Sequence, residues 1–192
     1  MALRPLAVHH LAQDVLACVC AALNETAADV EDAAGCPCRA CVVPGTPSWE
    51  DCADPCSGET GGQLTVHVRG MWPSSSFPSE DREVRGLRGC LPAAATAVEL
   101  VVTLLRCAPV GTEDGCPPEC VEWEEVARQV HLDATSVFNA LMCCLPATAP
   151  GRRGRRFVLG RQRTIGPQGG CVGIEQPVTV ALPGCAPCPQ EV

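Results

Sequence analysis

With 192 residues, 46% of them hydrophobic, the chain is long enough to bury a core without disulfide or metal staples, which excludes a mini-protein and favours one domain over 1–192. The net charge is −8 and all 14 basic residues are arginine, so general electrostatic attraction to nucleic acid is excluded and the surface repels a duplex on average. No run reaches the roughly 18 apolar residues a membrane helix needs, so no membrane partner is expected.

Sixteen cysteines need an explanation, because they approach the level at which short secreted chains are disulfide scaffolds. The first 23 residues are broken by His9, His10 and Asp14 and do not read as a secretory signal. Synthesis in a cytoplasm is the expectation, and disulfides are rare there until the product leaves.

In chain order, Leu3, Leu6, Val8, Leu11, Val15, Leu16, Val19 and Leu23 recur at three- and four-residue steps, predicting a surface helix over 2–23 with one buried stripe. His9 and His10 diverge by about 100° on such a helix and read as solvated rather than as a metal half-site. Residues 24–62 form a predicted long Cys-rich loop with one short strand near Cys41 to Val43. Its Cys36, Cys38, Cys41, Cys52 and Cys56 have the close spacing that suits four thiolates on Zn²⁺. A loop carrying free thiols or late-forming disulfides is the plainer alternative.

Leu64 to Trp72 alternates, with Leu64, Val66, Val68 and Trp72 on one side and Thr65, His67 and Arg69 on the other, which predicts a half-exposed strand with a solvated His67. Ser74 to Gly89 is a Ser-, Pro- and charge-rich loop. Thr96 to Arg106 is apolar on both faces and reads as the interior strand around which the rest is built. Pro118 to Leu145 is a predicted long helix, since proline fits the first helical position and Glu119 and Glu122 favour the positive end of the dipole. Trp123, Val126, Ala127, Val130, Ala134, Val137, Phe138, Leu141 and Cys144 trace its buried face. The pattern runs through to Leu145 and leaves room for a break near Asp133, and Glu122, Glu124, Glu125 and Asp133 read as solvated charges.

Arg152, Arg153, Arg155 and Arg156 form a basic hairpin loop. Phe157 to Ile165 and Cys171 to Leu182 are two further predicted strands, with Pro177 placing the second at an edge or bulge. The glycines between them are turn chemistry, since no Gly-Lys-Ser/Thr follows and no helix opens after them. Residues 183–192 read as a loose C-terminal tail. The fold class is therefore α+β: a small, mostly antiparallel sheet of about four strands packed by an N-terminal helix and one long helix.

The order of several short motifs resembles one family. Cys41-Val42-Val43-Pro44-Gly45, Met71-Trp72-Pro73-Ser74 followed by Phe77-Pro78, and Arg106-Cys107-x-Pro109 come first. The Cys143-Cys144 pair follows, then Leu159-Gly160 and Gly166-Pro167-Gln168-Gly169-Gly170-Cys171-Val172-Gly173. Together they are similar to the tail terminator, or head-to-tail connector, proteins of long-tailed phages infecting high-GC actinobacteria, over most of residues 2 to 182. Ile174-Glu175-Gln176-Pro177 departs from the family, which often has a bulky residue such as tryptophan there.

The resemblance implies a virion protein of the head–tail junction, assembled in the host cytoplasm as a homohexameric ring. Its implied partners are the tail tube protein and the head-side stopper or connector protein, with genomic DNA passing through the lumen without sequence-specific binding. No residue is expected to be catalytic, and no cofactor is implied. The contact candidates are Trp49, Phe77, Arg82, Arg85, Arg152, Arg153, Arg155 and Arg156. A head-side stopper and a Cys-rich zinc-binding module are the alternative readings. A thiol hydrolase is disfavoured, because no Cys sits in a recognisable nucleophile setting and no Gly-x-Ser-x-Gly elbow is present.

Overall fold

The structure, a computed structural model, describes residues 5–47, 61–82, 95–109, 111, 116–146, 155–168 and 170–183. It is an α+β fold of two helices and one six-stranded sheet, with the elements α1 (Ala7–Asp29), β1 (Arg39–Val42), β2 (Gln63–Ser74), β3 (Ala95–Cys107), α2 (Cys120–Cys144), β4 (Phe157–Leu159), β5 (Arg163–Gln168) and β6 (Cys171–Pro183). The strand order is β1-β2-β3-β6-β4, and β5 pairs with β6 beside β4. β1 runs parallel to β2, while every other pair is antiparallel.

The sheet has two more strands than the four expected of it. The short strand expected near Cys41 to Val43 joins it as β1, and the predicted strand Phe157 to Ile165 is two strands. The split has a backbone cause in Pro177. β4 pairs with β6 at Val178–Val180 and β5 at Cys171–Glu175, and Pro177 lies between them, where it has no N–H to give an outer neighbour. Its carbonyl accepts instead from Gly160 N at 2.9 Å. Over its length β6 is an interior strand between β3 and the β4–β5 side, but at Pro177 itself the outer side has no ladder partner, which agrees with the expected edge or bulge at that residue.

Both helices lie on one face of the sheet and run antiparallel, as the pairing of Thr26 with Ser136 and of Cys18 with Cys144 requires. Leu11, Val15, Val19 and Leu23 of α1 meet Leu64 and Val66 of β2, Val98, Leu100, Val102 and Leu104 of β3, and Ile174, Val178 and Val180 of β6 in one apolar core. At about 25 cal/mol per Å² of apolar surface, this layer supplies most of the driving force for folding. α1 continues to Asp29, six residues into the predicted loop. α2 is unbroken, and its buried face carries Val130, Asp133, Ser136, Val137, Ala140 and Leu141, so the predicted core residue Phe138 stays 45% exposed.

Asp133 also departs from the solvated charge expected of it. It is 3% exposed and takes the Arg106 guanidinium through Nε to Oδ2 at 2.8 Å and Nη2 to Oδ1 at 3.0 Å. Arg106 Nη2 further donates to Gly35 O at 2.9 Å, and Gln129 links Ala34 N to Asp133 Oδ1. One buried pair thus fixes the end of β3, the middle of α2 and the segment after α1. Its charge-assisted bonds repay the desolvation that a buried ion would otherwise impose.

Two motif glycines are required by geometry. A Cβ on Gly173 would stand 1.9 Å from Leu104 O of the neighbouring strand, and Gly166 has φ +91°, a conformation L side chains rarely adopt.

Candidate functional site

The second face of the sheet, away from the helices, is chemically unlike the first. A register shift between Val68 and Gly70 inserts a bulge at Arg69. Beyond it Trp72 pairs with Ala97 and faces the second side, which corrects its expected place beside Leu64, Val66 and Val68. Thr65, Thr103, Glu175 and Arg163 line up in register across β2, β3, β6 and β5. Above that row Arg69 donates from Nη1 to Glu99 Oε1 at 3.2 Å and from Nη2 to Glu175 Oε1 at 2.8 Å, and Arg163 Nε reaches Glu175 Oε2 at 2.6 Å.

The four charges cancel. Arg69, Arg163 and Glu175 border a groove of about 420 Å³ walled also by Thr46, Pro47, Thr103 and Ile165. Beneath this ladder lies His67, only 4% exposed, where the alternation had placed a solvated imidazole. Burial, chiefly, and the neighbouring Arg69 charge push its pKa below the usual 6.5, against the opposing pull of Glu175 and Glu99. The imidazole is accordingly neutral at physiological pH. His67 Nδ1 and Thr65 Oγ1 are both buried and have no hydrogen-bond partner. The outer part of this face is thus two arginines and two glutamates without net charge, over a buried row of hydroxyl and imidazole groups.

At the end of the sheet where β2 and β6 finish and β3 and β4 start, a second set of residues converges. The turn after β2 is closed by Ser74 Oγ to Ser79 O at 2.6 Å, Trp72 Nε1 to Pro78 O at 3.0 Å and Ser75 N to Asp81 Oδ2 at 2.8 Å. It holds Phe77 beneath Arg156, whose guanidinium carbon lies 5.5 Å from the ring centre. Arg155 pairs with Asp14 of α1 at 3.1 Å, and Arg82 stands exposed beside the turn. The fold therefore brings together four of the expected contact residues, Phe77, Arg82, Arg155 and Arg156, from two distant segments. Trp49, Arg85, Arg152 and Arg153 lie outside the described residues.

The cysteines divide by environment. Cys18–Cys144 and Cys20–Cys36 are disulfides, and Cys38 and Cys171 are disulfide-bonded as well. Cys41, Cys116, Cys120 and Cys143 are free thiols. Cys36 and Cys38 are thus held in disulfides rather than offered as thiolates to a metal, Cys41 lies on β1, and Cys52 and Cys56 fall outside the described residues. No group of three metal-ligating side chains occurs among the described residues.

Neither a protein-family model nor a curated protein sequence matches the chain. No helix among the described residues is long and apolar enough to cross a membrane.

Sequence reasoning missed Arg69, Glu99, Arg163 and Glu175 as a group. The available signal was the odd placement of charges within apolar strands, which gives each residue a face but not a partner.

Proposed function

We propose that this chain is a structural subunit that acts by shape: a tail-terminator-like protein forming a ring on the tail tube of a long-tailed phage, ending tube growth and receiving the head-side connector. The observation that carries this reading is the contact of Phe77 with Arg156 at one end of the sheet, 5.5 Å separating the Arg156 guanidinium carbon from the Phe77 ring. Residues expected to make contacts in two separate loops form one surface, as a docking face requires. The motif order supports the same reading, because Gly166 and Gly173 stand where a side chain would meet the neighbouring backbone and Arg106 pairs with Asp133 at the end of β3.

A heterologous ring needs two different contact surfaces on each subunit, and the Phe77–Arg156 end of the sheet is our candidate for one of them. The overall −8 charge, repeated around a ring, gives a channel wall along which DNA slides without adhering.

Adding the purified chain to polymerising tail-tube subunits tests this. The expected result is tubes of arrested length with the chain at one tip by electron microscopy. Unchanged elongation together with no bound chain would overturn it. The Phe77→Ala and Arg156→Ala pair should weaken capping by about tenfold or more, as loss of an aromatic–arginine anchor does at other interfaces.

A further inference from the structure

The apolar core accounts for the fold without the disulfides, yet their placement is not scattered. Cys18–Cys144 and Cys20–Cys36 both start on α1, two residues apart. Cys18 reaches Cys144 at the end of α2, 126 positions away, and Cys20 reaches Cys36 in the segment that follows α1, 16 positions away. α1 is already held without them. Leu11, Val15, Val19 and Leu23 are 0–2% exposed in the shared core, and Thr26 Oγ1 meets Ser136 Oγ at 2.7 Å across the helix pair. Two of the four sulfurs also have a carbonyl nearby that a thiol could use. In the disulfide-bonded geometry Cys18 Sγ lies 3.6 Å from Ala140 O, and Cys36 Sγ lies 3.7 Å from Pro37 O.

We propose that the helix layer is a redox latch: the chain folds with Cys18, Cys20, Cys36 and Cys144 as thiols, and later oxidation bolts α1 to α2 and to its own following segment without moving either. Each bolt turns two thiols into one disulfide. The two protons and two electrons pass to molecular oxygen or to a small disulfide such as glutathione disulfide, which leaves as two glutathione molecules. The stabilisation comes from restricting the unfolded chain, and it is greatest for the longer loop, that of Cys18–Cys144.

Only the timing of the latch rests on the virion reading. A particle assembled in a reducing cytoplasm and released to oxidising surroundings would lock after assembly. The latch is tested on the isolated full chain and the virion reading on tail tubes, so failure of one is distinguishable from failure of the other.

The experiment compares the chain purified under a thiol reductant with the same chain after exposure to glutathione disulfide. Far-ultraviolet circular dichroism, thermal melting and alkylation followed by non-reducing peptide mapping are the readouts. The reduced chain should be folded and melt cooperatively. Oxidation should yield the Cys18–Cys144 and Cys20–Cys36 cross-linked peptides and raise Tm on the order of 10 °C. Exposed Cys116, Cys120 and Cys143 should alkylate in both forms. The Cys18→Ala, Cys144→Ala double variant should fold and lose most of the rise, whereas Cys120→Ala should keep it. An unfolded reduced chain, a double variant that cannot fold, an equal Tm in the two redox states, or pairing of Cys18 with any other cysteine would each overturn the latch.

Discussion

The two faces of β3 sit less than a strand's thickness apart and are built on opposite principles. The helix-side face presents Val98, Leu100, Val102 and Leu104 to α1 and α2, with the same aliphatic chemistry on β2 and β6. On the other side Val101 and Leu105 are equally buried, but they share their face with Thr65, His67, Thr103, Glu99, Glu175, Arg69 and Arg163. One face is specified mainly by volume, with the Arg106–Asp133 pair and the buried Gln176 as its polar exceptions. The other is specified by charge pairing and by hydrogen-bonding groups, two of which have no partner. The larger share of the buried aliphatic volume lies on the first face, while the second presents the partly exposed Arg69, Glu99 and Arg163 at its surface.

The sharpest break in this division is Asp133, a charge on the apolar side. Asp133→Ala leaves the buried Arg106 without its carboxylate and should cost about 3–5 kcal/mol in denaturant unfolding. A loss below about 1 kcal/mol would mean that Arg106 is solvated and that the pair is not a structural joint. Leu104→Ala, which empties a fully buried site between the sheet and the helices, should cost about 2–5 kcal/mol by the same measurement.

On the second face His67 gives a pH signature. Its pKa is lower folded than unfolded, so the unfolded chain takes up the proton first and stability falls as pH drops below 6.5. That contribution is complete above 6.5 and shrinks toward the lowered folded value. His67→Leu should flatten the fall in stability as pH drops below 6.5, measured by urea titration. An unchanged slope would place the imidazole in solvent. Smallest is Glu99→Gln, which removes one partner of the partly exposed Arg69 and should cost less than about 1 kcal/mol. A larger cost would show that the ladder is part of the fold's foundation rather than a surface feature.

Much of the architecture is legible in the order of residues along the chain. α1, α2, β2, β3 and β6 fall where periodicity places them, because a helical or alternating burial pattern is written within each segment. The strand count and some faces are not legible in that way. The bulge at Arg69 reverses which side Trp72 takes, and Pro177 divides one predicted strand into β4 and β5. Each is a single-residue event whose effect depends on the neighbouring strand. Of the candidate contact surface, the sequence supplied the residues, while the meeting of Phe77 with Arg156 came from distant segments brought to one side of the sheet.

The sequence by itself determined the α+β class, the interior strand and the positions of both helices, since local spacing of apolar residues suffices for these. The tertiary structure alone decided which charges are buried and which cysteines are joined. Arg106 finds Asp133 27 positions away, Arg69 finds Glu175 at 106, and Cys18 finds Cys144 at 126. Partners so far apart leave no periodic trace, because their proximity exists only once the sheet has closed and the helices have packed.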